Sequence, residues 1–547
     1  MATPTPTDRG RSESAVLDDA HLGDIHGALG TVRLDDTGAR ATLPARLRTL
    51  VAIVGPGLIV MVGDNDAGAF GTYTQAGQNY GTSLLWTLLL LVPVLYLNQE
   101  MVLRLGAVTG VGHARLILER FGRFWGAFSV IDLFLLNGLT IVTEFIGISL
   151  GLSYLGLPTV PGVLVAAVVV VAAASTGSFR RFERVCLVLV VGNVLLIPIL
   201  VMAHPPIGQL ARDFVVPGLP GGELSTVMLL IIGIVGTTVA PWQLFFQQSY
   251  VIDKRITPRF MGYEKADLWI GIVIVVIGAG AMMAFTTTAF AGQPEFGAFT
   301  DAGGVADGLG RYVGPAAGVM FALALIDASI IGAAAVSLAT AYAIGDVLGL
   351  KHSLHRGVRE AKGFYAVFAG ILVLAAVVVV IPGSPLGLLT EGVQTLAGVL
   401  LPSASVFLLL LCNDREVLGP WVNGRVRNLF TVVVIAVLVL LSIVLTAAVV
   451  FPDITAGAIL MILGAGGGLA VLVGLVALVL AVRRRSGAAR PEVVTADRTT
   501  WRMPPLALLT RPELSRGRRL GLTVLRGYLV VAVGMVVVRI VQLALAS

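Results

Sequence analysis

Long apolar runs recur along the chain of 547 residues, and they constrain its fold more than any other feature. A run of about 20 apolar residues is long enough to cross the hydrocarbon core of a bilayer as a helix. Helices are the expected form because lipid offers no hydrogen-bond partner to an exposed backbone group. Only 13% of the residues are charged, against about a quarter in soluble proteins. The runs lie at about residues 49–78, 82–103, 124–155, 161–176, 185–204, 224–250, 268–291, 315–349, 363–382, 386–412, 429–451 and 457–482. The sequence therefore predicts an all-α polytopic membrane protein with about 12 transmembrane helices.

Basic residues occur in every second loop between these runs. The loop at 292–314 belongs to the alternate set, and it holds Glu295, Asp301 and Asp307 against a single basic residue, Arg311. Lys and Arg in short loops favour the cytoplasmic side. We therefore predict a multi-pass protein of the cell membrane (plasma or inner membrane) with its N-terminus in the cytoplasm. The basic loops contain Arg104, Arg115, Arg120 and Arg123; Arg180, Arg181 and Arg184; Lys254, Arg255, Arg259 and Lys265; Lys351, Arg356, Arg359 and Lys362; Arg415, Arg425 and Arg427; and Arg483, Arg484 and Arg485.

The segments that flank the apolar runs are polar. Residues 1–45 contain no apolar stretch typical of a signal peptide, and their composition predicts a disordered cytoplasmic tail. Residues 483–547 combine a basic cytoplasmic segment with a further apolar helix at about 521–546. That helix is interrupted by Arg526 and Arg539, so a further span and an interfacial helix both remain open.

Two of the runs are interrupted at corresponding places. The first contains Gly55-Pro56-Gly57 and then Asp64-Asn65-Asp66, and the sixth contains Gly236-Thr237-Thr238 shortly before Pro241. Proline lacks an N–H group and clashes with the preceding turn. Helices five apart cross the membrane in opposite directions, so this pattern predicts an inverted repeat with discontinuous helices 1 and 6.

This repeat defines the predicted organisation of the chain. The first part, 46–255, holds the first repeat through the start of helix 6, with helices 1–5 at about 49–204 and helix 6 at about 224–250. The remainder of the second repeat, helices 7–10, occupies 256–412, and helices 11 and 12 occupy 413–482. A binding site is expected at mid-membrane, where the two interrupted helices meet.

The carboxylate of Asp66 beside the first interruption needs a positive partner at this depth. No Lys or Arg occurs within the first ten runs away from their ends. Unwound backbone also frees carbonyl oxygens, which are ligands for hard cations. The residues therefore favour a site for a mobile cation. The alternative is that proline and glycine merely bend packed helices and that Asp64 or Asp66 is protonated.

Several motifs between about 50 and 480 resemble the NRAMP family of divalent-metal transporters, which have the LeuT-type 5+5 fold. The family has Gly-Pro-Gly and Asp-Pro-Gly-Asn in its first helix, a characteristic loop after its second, Met-Pro-His-Asn in its sixth, and Ser-Asp-Arg after its tenth. The corresponding segments here are Gly55-Pro56-Gly57, Asp66-Ala67-Gly68-Ala69, Arg104-Leu105-Gly106-Ala107-Val108-Thr109-Gly110, Ala240-Pro241-Trp242-Gln243 and Asn413-Asp414-Arg415.

The departures from these motifs concern the ion ligands. The resemblance places Ala69 at the family's Asn ligand, Ala240 at its Met ligand and Thr237 at its carbonyl ligand, while Asp66 is kept. A thioether favours softer transition metals, so its absence removes that preference. A roomier, oxygen-lined site suits Mg2+, which dehydrates reluctantly. This pattern resembles the NRAMP-related magnesium transporters, which carry Mg2+ and also Mn2+. The predicted metal site comprises Asp66, Thr237, Gln243, Asn65, Asp64, Ala69 and Ala240.

The resemblance also bears on proton coupling. The sixth-helix histidines of the family fall at Trp242 and Gln247, and its third-helix Asp falls at Ile141, whereas its Glu is kept as Glu144. A relay needs a chain of titratable groups. We therefore predict uptake without proton coupling, with Glu144 as a possible residual relay.

Other functions remain as alternatives. One is a proton-coupled Mn2+ or Fe2+ importer, and another is a non-transporting membrane metal sensor. A sodium-coupled symporter for organic anions is disfavoured because the Asp66 carboxylate would repel its substrate. An enzyme is not expected, since the sequence has no HExxH motif. We expect no resident cofactor, a divalent ion as substrate, membrane lipids as partners and no nucleic acid. The sequence leaves open the Mg2+ versus Mn2+ preference, the Ca2+ response and the oligomeric state.

Overall fold

The computed structural model describes residues 19–221, 224–381, 386–451, 454–485, 498–510, 519–531 and 534, and they are mostly helical. Residues 519–531 are also helical. A short antiparallel hairpin, β1 Ile25–Gly27 and β2 Gly30–Val32, precedes the helices. The helices are α1 Leu43–Ile53, α2 Pro56–Val62, α3 Ala67–Tyr80, α4 Trp86–Thr109, α5 His113–Phe121, α6 Arg123–Tyr154, α7 Thr159–Ala174, α8 Phe179–Gly192, α9 Leu196–Ala203, α10 Ile207–Val215, α11 Leu224–Thr238, α12 Pro241–Asp253, α13 Met261–Phe290, α14 Ala302–Tyr312, α15 Pro315–Leu348, α16 Lys362–Val380, α17 Leu386–Cys412, α18 Arg415–Leu418, α19 Arg425–Val450 and α20 Ala456–Arg485.

Each of the apolar runs falls on one or more of these helices, so the predicted helical membrane protein is confirmed. Among the described residues, 9 helices are long and apolar enough to cross a membrane, or 10 if the bent pair α1–α2 counts as one span. This number is lower than the predicted one partly because α7 is short and the first run is divided into three helices. The count of 12 and the 5+5 repeat remain predictions.

The interruptions of the first and sixth helices are confirmed. Asp66 ends the first interruption as the residue before α3, and α11 ends at Thr238, two residues before extended Ala240. Pro241 is the first residue of α12. The N–H group at this position has no partner within the helix, so proline costs no hydrogen bond there. The first helix has an additional bend of 53° between α1 and α2. Gly55 lies at this bend with a φ of 157°, which glycine tolerates because it has no Cβ.

The interrupted helices contact each other and the long helix α13. Helix α11 packs against α3, α12 packs against α2, and α13 runs along both α2 and α3. Helices α2 and α13 cross at glycines, because a Cβ added to Gly271 would lie 2.7 Å from the carbonyl oxygen of Gly57. Small residues allow this close approach of two backbones. The packing brings the two interruptions to one level of the bundle.

The prediction of a disordered tail over residues 1–45 is wrong for its second part. From residue 19 the chain forms a short turn and the β1–β2 hairpin, with Ile25 paired to Val32. Ile25 and Val32 are buried against the helical core. Polar composition misled the prediction, because a few apolar side chains and backbone hydrogen bonds to arginines suffice to dock this segment. Residues 1–18 lie outside the described residues.

The C-terminal segment also packs against the helices. The Met503 N–H donates to the Val108 carbonyl at 3.3 Å, and the Tyr528 hydroxyl lies 2.5 Å from the Ser442 hydroxyl. The predicted extra helix at 521–546 is therefore present over its described part, 519–531. Most of the remainder of that prediction lies outside the described residues.

Candidate functional site

Hydrogen bonds join the interruption of the first helix to that of the sixth. The Thr72 and Thr237 hydroxyl oxygens lie 3.3 Å apart, and the Tyr73 hydroxyl lies 2.7 Å from the Thr238 hydroxyl. These contacts connect α3 to α11. On the other side, the Gln243 amide of α12 donates to the Asp64 carboxyl group. The structure thus pairs Asp64 with Gln243 and places Thr237 at the contact of α11 with α3, and the metal site itself remains a prediction.

Asp66 begins α3, and its side chain caps that helix. The carboxyl oxygen Oδ1 accepts a hydrogen bond of 2.9 Å from the Ala69 N–H. Aspartate is a favoured residue at this position, since a helix N-terminus has unpaired N–H groups and a positive partial charge. Asp66 is 8% exposed, more than Asp64 at 1%. Its carboxylate is therefore buried and oriented by its own helix.

Asp64 belongs to a chain of buried amides. One of its oxygens accepts from Gln243, whose own oxygen accepts from the Gln99 amide at 2.8 Å. The other carboxyl oxygen of Asp64 has no hydrogen-bond partner among the described residues. Sequence reasoning missed Gln99, although the polar sequence Asn98-Gln99-Glu100 within the second apolar run was a usable signal. Asp64 therefore has a free oxygen in a position that a cation or water can fill.

The structure separates Asn65 from the other predicted site residues. Its amide nitrogen lies 3.5 Å from the Asn193 amide oxygen, and its side chain packs against Gly278 of α13. Sequence reasoning grouped Asn65 with both aspartates because the three are adjacent. In the folded chain Asn65 is fully buried and is directed toward α9 and α13.

Glu144 on α6 supports the start of α3. Its Oε2 accepts a hydrogen bond of 3.1 Å from the Ala67 N–H, and its carboxyl group is within hydrogen-bonding reach of Asp66. Gly332 of α15 makes room for it, since a Cβ there would lie 2.7 Å from the carboxyl carbon. Two carboxyl groups at one helix N-terminus share its positive partial charge. Glu144 therefore positions the first turn of α3 through its hydrogen bond with the Ala67 N–H.

The two predicted alanine positions and their neighbours form the walls of the site. Ala69 is buried and Ala240 is half-buried at the interruption. Trp242 is almost fully buried and packs edge-on against Phe246, with ring centroids 6.0 Å apart. Gln247 is fully buried, and neither atom of its amide group has a partner among the described residues.

The interruptions lie in the interior of the bundle. Every residue of α2 and of α12 is buried. Thr72 and Thr237, at the contact between α3 and α11, are only 7% and 8% exposed. The polar groups of both interruptions are therefore almost entirely enclosed by the helices.

The donor set is made of oxygen. Carboxylates, hydroxyls and amides surround the interruptions, and such groups suit hard cations such as Mg2+ and Ca2+. Within the described ranges, no group of three or more His, Cys, Asp or Glu side chains is arranged to hold a metal ion.

Comparisons with known proteins agree with this architecture. The model of the natural resistance-associated macrophage protein-like (Nramp) family matches residues 57–448. A relative from Ralstonia nicotianae, named divalent metal cation transporter MntH, is 29% identical over 415 residues, covering 71% of this chain and 90% of the relative. The protein of that name from Burkholderia ambifaria is 28% identical over 400 residues, covering 70% of this chain and 86% of the relative.

Solved structures show the same fold. The Eremococcus coleocola manganese transporter, in complex with an aromatic bis-isothiourea compound, superimposes with a TM-score of 0.61. The alignment covers 83% of this chain and 99% of that one at 20% identity, which is evidence for the fold alone. A mutant of the same transporter, in which one histidine is replaced by alanine, gives the same TM-score.

Proposed function

This chain belongs to the Nramp family, and on that basis we propose that it moves divalent metal cations across the cell membrane by alternating access. Its relatives from two bacteria are named divalent metal cation transporters. We propose Mg2+ as the principal substrate and Mn2+ as a second one, both carried with part of their water. The orientation of the chain, with its N-terminus in the cytoplasm, and the repeats at 46–255 and 256–412 are part of this proposal.

One observation supports Mg2+ more than any other. Asp66 ends the first interruption, the groups around the two interruptions are hydroxyl, amide and carboxyl oxygens, and the Ala69 and Ala240 side chains offer only methyl groups. Mg2+ is usually held by one or two carboxylates and keeps several waters. A site with few charged ligands and no thioether at Ala240 fits that requirement better than it fits a softer ion.

The same residues support transport without protons. Trp242 and Gln247 cannot titrate near neutral pH, so a proton relay along the sixth helix lacks two groups. A divalent cation gains about 4.6 kcal/mol per 100 mV on entering a negative interior, which is twice the value for a single charge. Uptake of Mg2+ would therefore proceed without a second ion to drive it.

An uptake assay tests the proposed site. The full chain, purified and reconstituted in liposomes with a trapped Mg2+ indicator, should take up Mg2+ when the interior is negative. Asp66→Ala should reduce the initial rate to background, because the carboxylate that ends the first interruption is lost. The control is Asp307→Ala, which removes an exposed carboxylate from α14. Wild-type Mg2+ uptake by Asp66→Ala would show that the site is assigned to the wrong residues.

A second candidate is a proton-coupled importer of Mn2+ or Fe2+. The contact between Glu144 and the first turn of α3 favours it, since a carboxyl group within reach of Asp66 could accept a proton when the ion leaves. The two candidates differ in the ion preferred and in proton movement. A non-transporting metal sensor would bind the ion and show no uptake of either metal.

A further inference from the structure

The β1–β2 hairpin lies directly on the end of α1. A Cβ added to Gly27 would overlap the Ala52 carbonyl oxygen, and a Cβ added to Gly30 would lie 2.9 Å from the Ala52 side chain. Neither glycine has a positive φ, so space and not backbone conformation requires glycine here. The turn of the hairpin therefore contacts the last turn before the bend at Gly55.

A buried ion pair joins the hairpin to this bend. The Ala28 N–H donates to Oε2 of Glu183 at 2.5 Å, and the Lys254 ammonium donates to Oε1 of the same carboxylate at 2.7 Å. Lys254 also donates to the carbonyl oxygens of Ile53 and Val54, at 2.5 and 2.9 Å. Both charged side chains are fully buried. A buried pair is tolerated when its remaining hydrogen bonds are made, and here the hairpin and α1 supply them.

Arginines from two other parts of the chain donate hydrogen bonds to carbonyl oxygens of the hairpin and of the turn that precedes it. Arg184 of α8 donates to the Ala28 oxygen at 2.9 Å, and Arg180 donates to the Gly27 oxygen at 3.1 Å. Arg255, which follows α12, donates to the Ala20 oxygen at 2.9 Å. The hairpin is thus attached to α8 as well as to α1, and the turn before it is attached to the residue that follows Lys254 after α12.

Helix α2 is fixed from its opposite side by α13. The Asp267 carboxylate accepts from the N–H groups of Gly57, Gly55 and Leu58 at 2.6, 3.2 and 3.3 Å. It therefore caps α2 from a neighbouring helix. Because every residue of α2 is buried, this half-helix can move only if the contacts around Gly55 separate.

We propose that the hairpin at 25–32 is a latch that keeps α2 closed over the site, and that its release opens the path from the site to the face on which the hairpin lies. The inference rests on the proposed function in one respect, since alternating access requires that this face open. Every residue of α2 and of α12 is buried. The structure therefore has the latched side shut.

Hydrogen exchange of the full-length protein in lipid nanodiscs tests the latch. Gly27→Ala should detach the hairpin, because the new methyl group overlaps Ala52. Amides of 25–32 and of α2 should then both exchange about tenfold faster or more. The matched control is Gly38→Ala, where the nearest atom to the new methyl lies 3.6 Å away. It should leave both segments as in the wild type.

A second variant covers the case in which Gly27→Ala is accommodated. Removing residues 1–34 takes away the hairpin itself while leaving α1 and the later helices. If α2 exchanges at the wild-type rate in this truncated variant, the latch is overturned. The same holds if Gly27→Ala makes residues 25–32 exchange faster and leaves the exchange of α2 unchanged. The exchange experiment needs no transported ion. Its result is therefore independent of whether Asp66→Ala abolishes Mg2+ uptake.

Discussion

At the scale of single residues, Asp64 and Asp66 are two positions apart and have different environments. Asp64 is bound to the Gln243–Gln99 amide chain, whereas Asp66 caps α3. The sequence predicted both as site residues because carboxylates beside a helix interruption are rare in membranes. It could not separate their roles, nor find Gln99, because partners from other helices depend on how the helices pack.

The residue at the Ala240 position is expected to set the ion preference. Ala240→Met places a thioether at the interruption, which favours Mn2+ over Mg2+ and narrows the site. The ratio of Mn2+ to Mg2+ uptake rates should rise about tenfold, a change of ~1.4 kcal/mol in relative barrier.

Ala240→Leu is the matched control because it adds similar volume without sulfur. It should slow both ions and leave their ratio unchanged. If leucine raised the ratio as much as methionine does, size and not sulfur would determine the preference.

At the scale of elements, the apolar runs predicted where the helices lie, since length and hydropathy are properties of local sequence. The interruptions at Asp66 and Pro241 were also predictable from glycine, proline and polar residues. The bend between α1 and α2 falls at Gly55-Pro56-Gly57, which the sequence identified as part of the interruption, whereas the start of α1 at Leu43 was missed because Arg46 and Arg48 are polar. The docked hairpin was missed for a similar reason, since its contacts are made with distant arginines.

The crossing of α2 and α13 should be sensitive to added volume. Gly271→Ala brings a methyl group within 2.8 Å of the Met61 Cβ and 2.7 Å of the Gly57 oxygen. Overpacking of this kind costs about 1–3 kcal/mol, so the unfolding midpoint in detergent should fall.

Gly262→Ala serves as the control on the same helix, because its new methyl group meets no described atom within 4 Å. Alanine is a better helix former than glycine by ~1 kcal/mol, so this variant should be as stable as the wild type or more so. Equal midpoints for the two variants would contradict close packing at Gly271.

The loop after α15 should make stability depend on pH. Burial lowers the pKa of His352, but the hydrogen bond of 3.0 Å to Asp346 outweighs it and raises that pKa to about 9. A folded-state pKa above the ordinary value of 6.5 stabilises the protein fully below pH 6.5, and this contribution is lost as the pH rises through about 9.

His352→Gln removes this contribution. The difference in unfolding midpoint between the wild type and the variant should be largest near pH 6 and should shrink above pH 9. A difference that stays constant over this range would mean that the His352–Asp346 pair does not titrate as the structure indicates.

At the scale of the whole molecule, the family match at 57–448 leaves both terminal segments outside it. Both nevertheless dock on the helices. The hairpin covers the end of α1, and the C-terminal segment covers the end of α4, where the Arg502 guanidinium donates to the Ala107 carbonyl at 3.3 Å. Composition predicted these segments as polar and basic but could not predict docking, which depends on backbone hydrogen bonds to distant residues.

The two interruptions lie together inside the bundle. Asp66 ends the first of them, with oxygen donors around it and no titratable chain leading away through Trp242 or Gln247. The central claim is therefore that Mg2+ passes this site by itself, driven by concentration and membrane potential.

Simultaneous recording of Mg2+ and H+ entry into liposomes that contain the full chain tests this claim most directly. The account predicts Mg2+ entry that increases with a negative interior, no accompanying acidification, and loss of entry in Asp66→Ala. Entry of Mn2+ with a matching inward proton flux, and no entry of Mg2+, would contradict it.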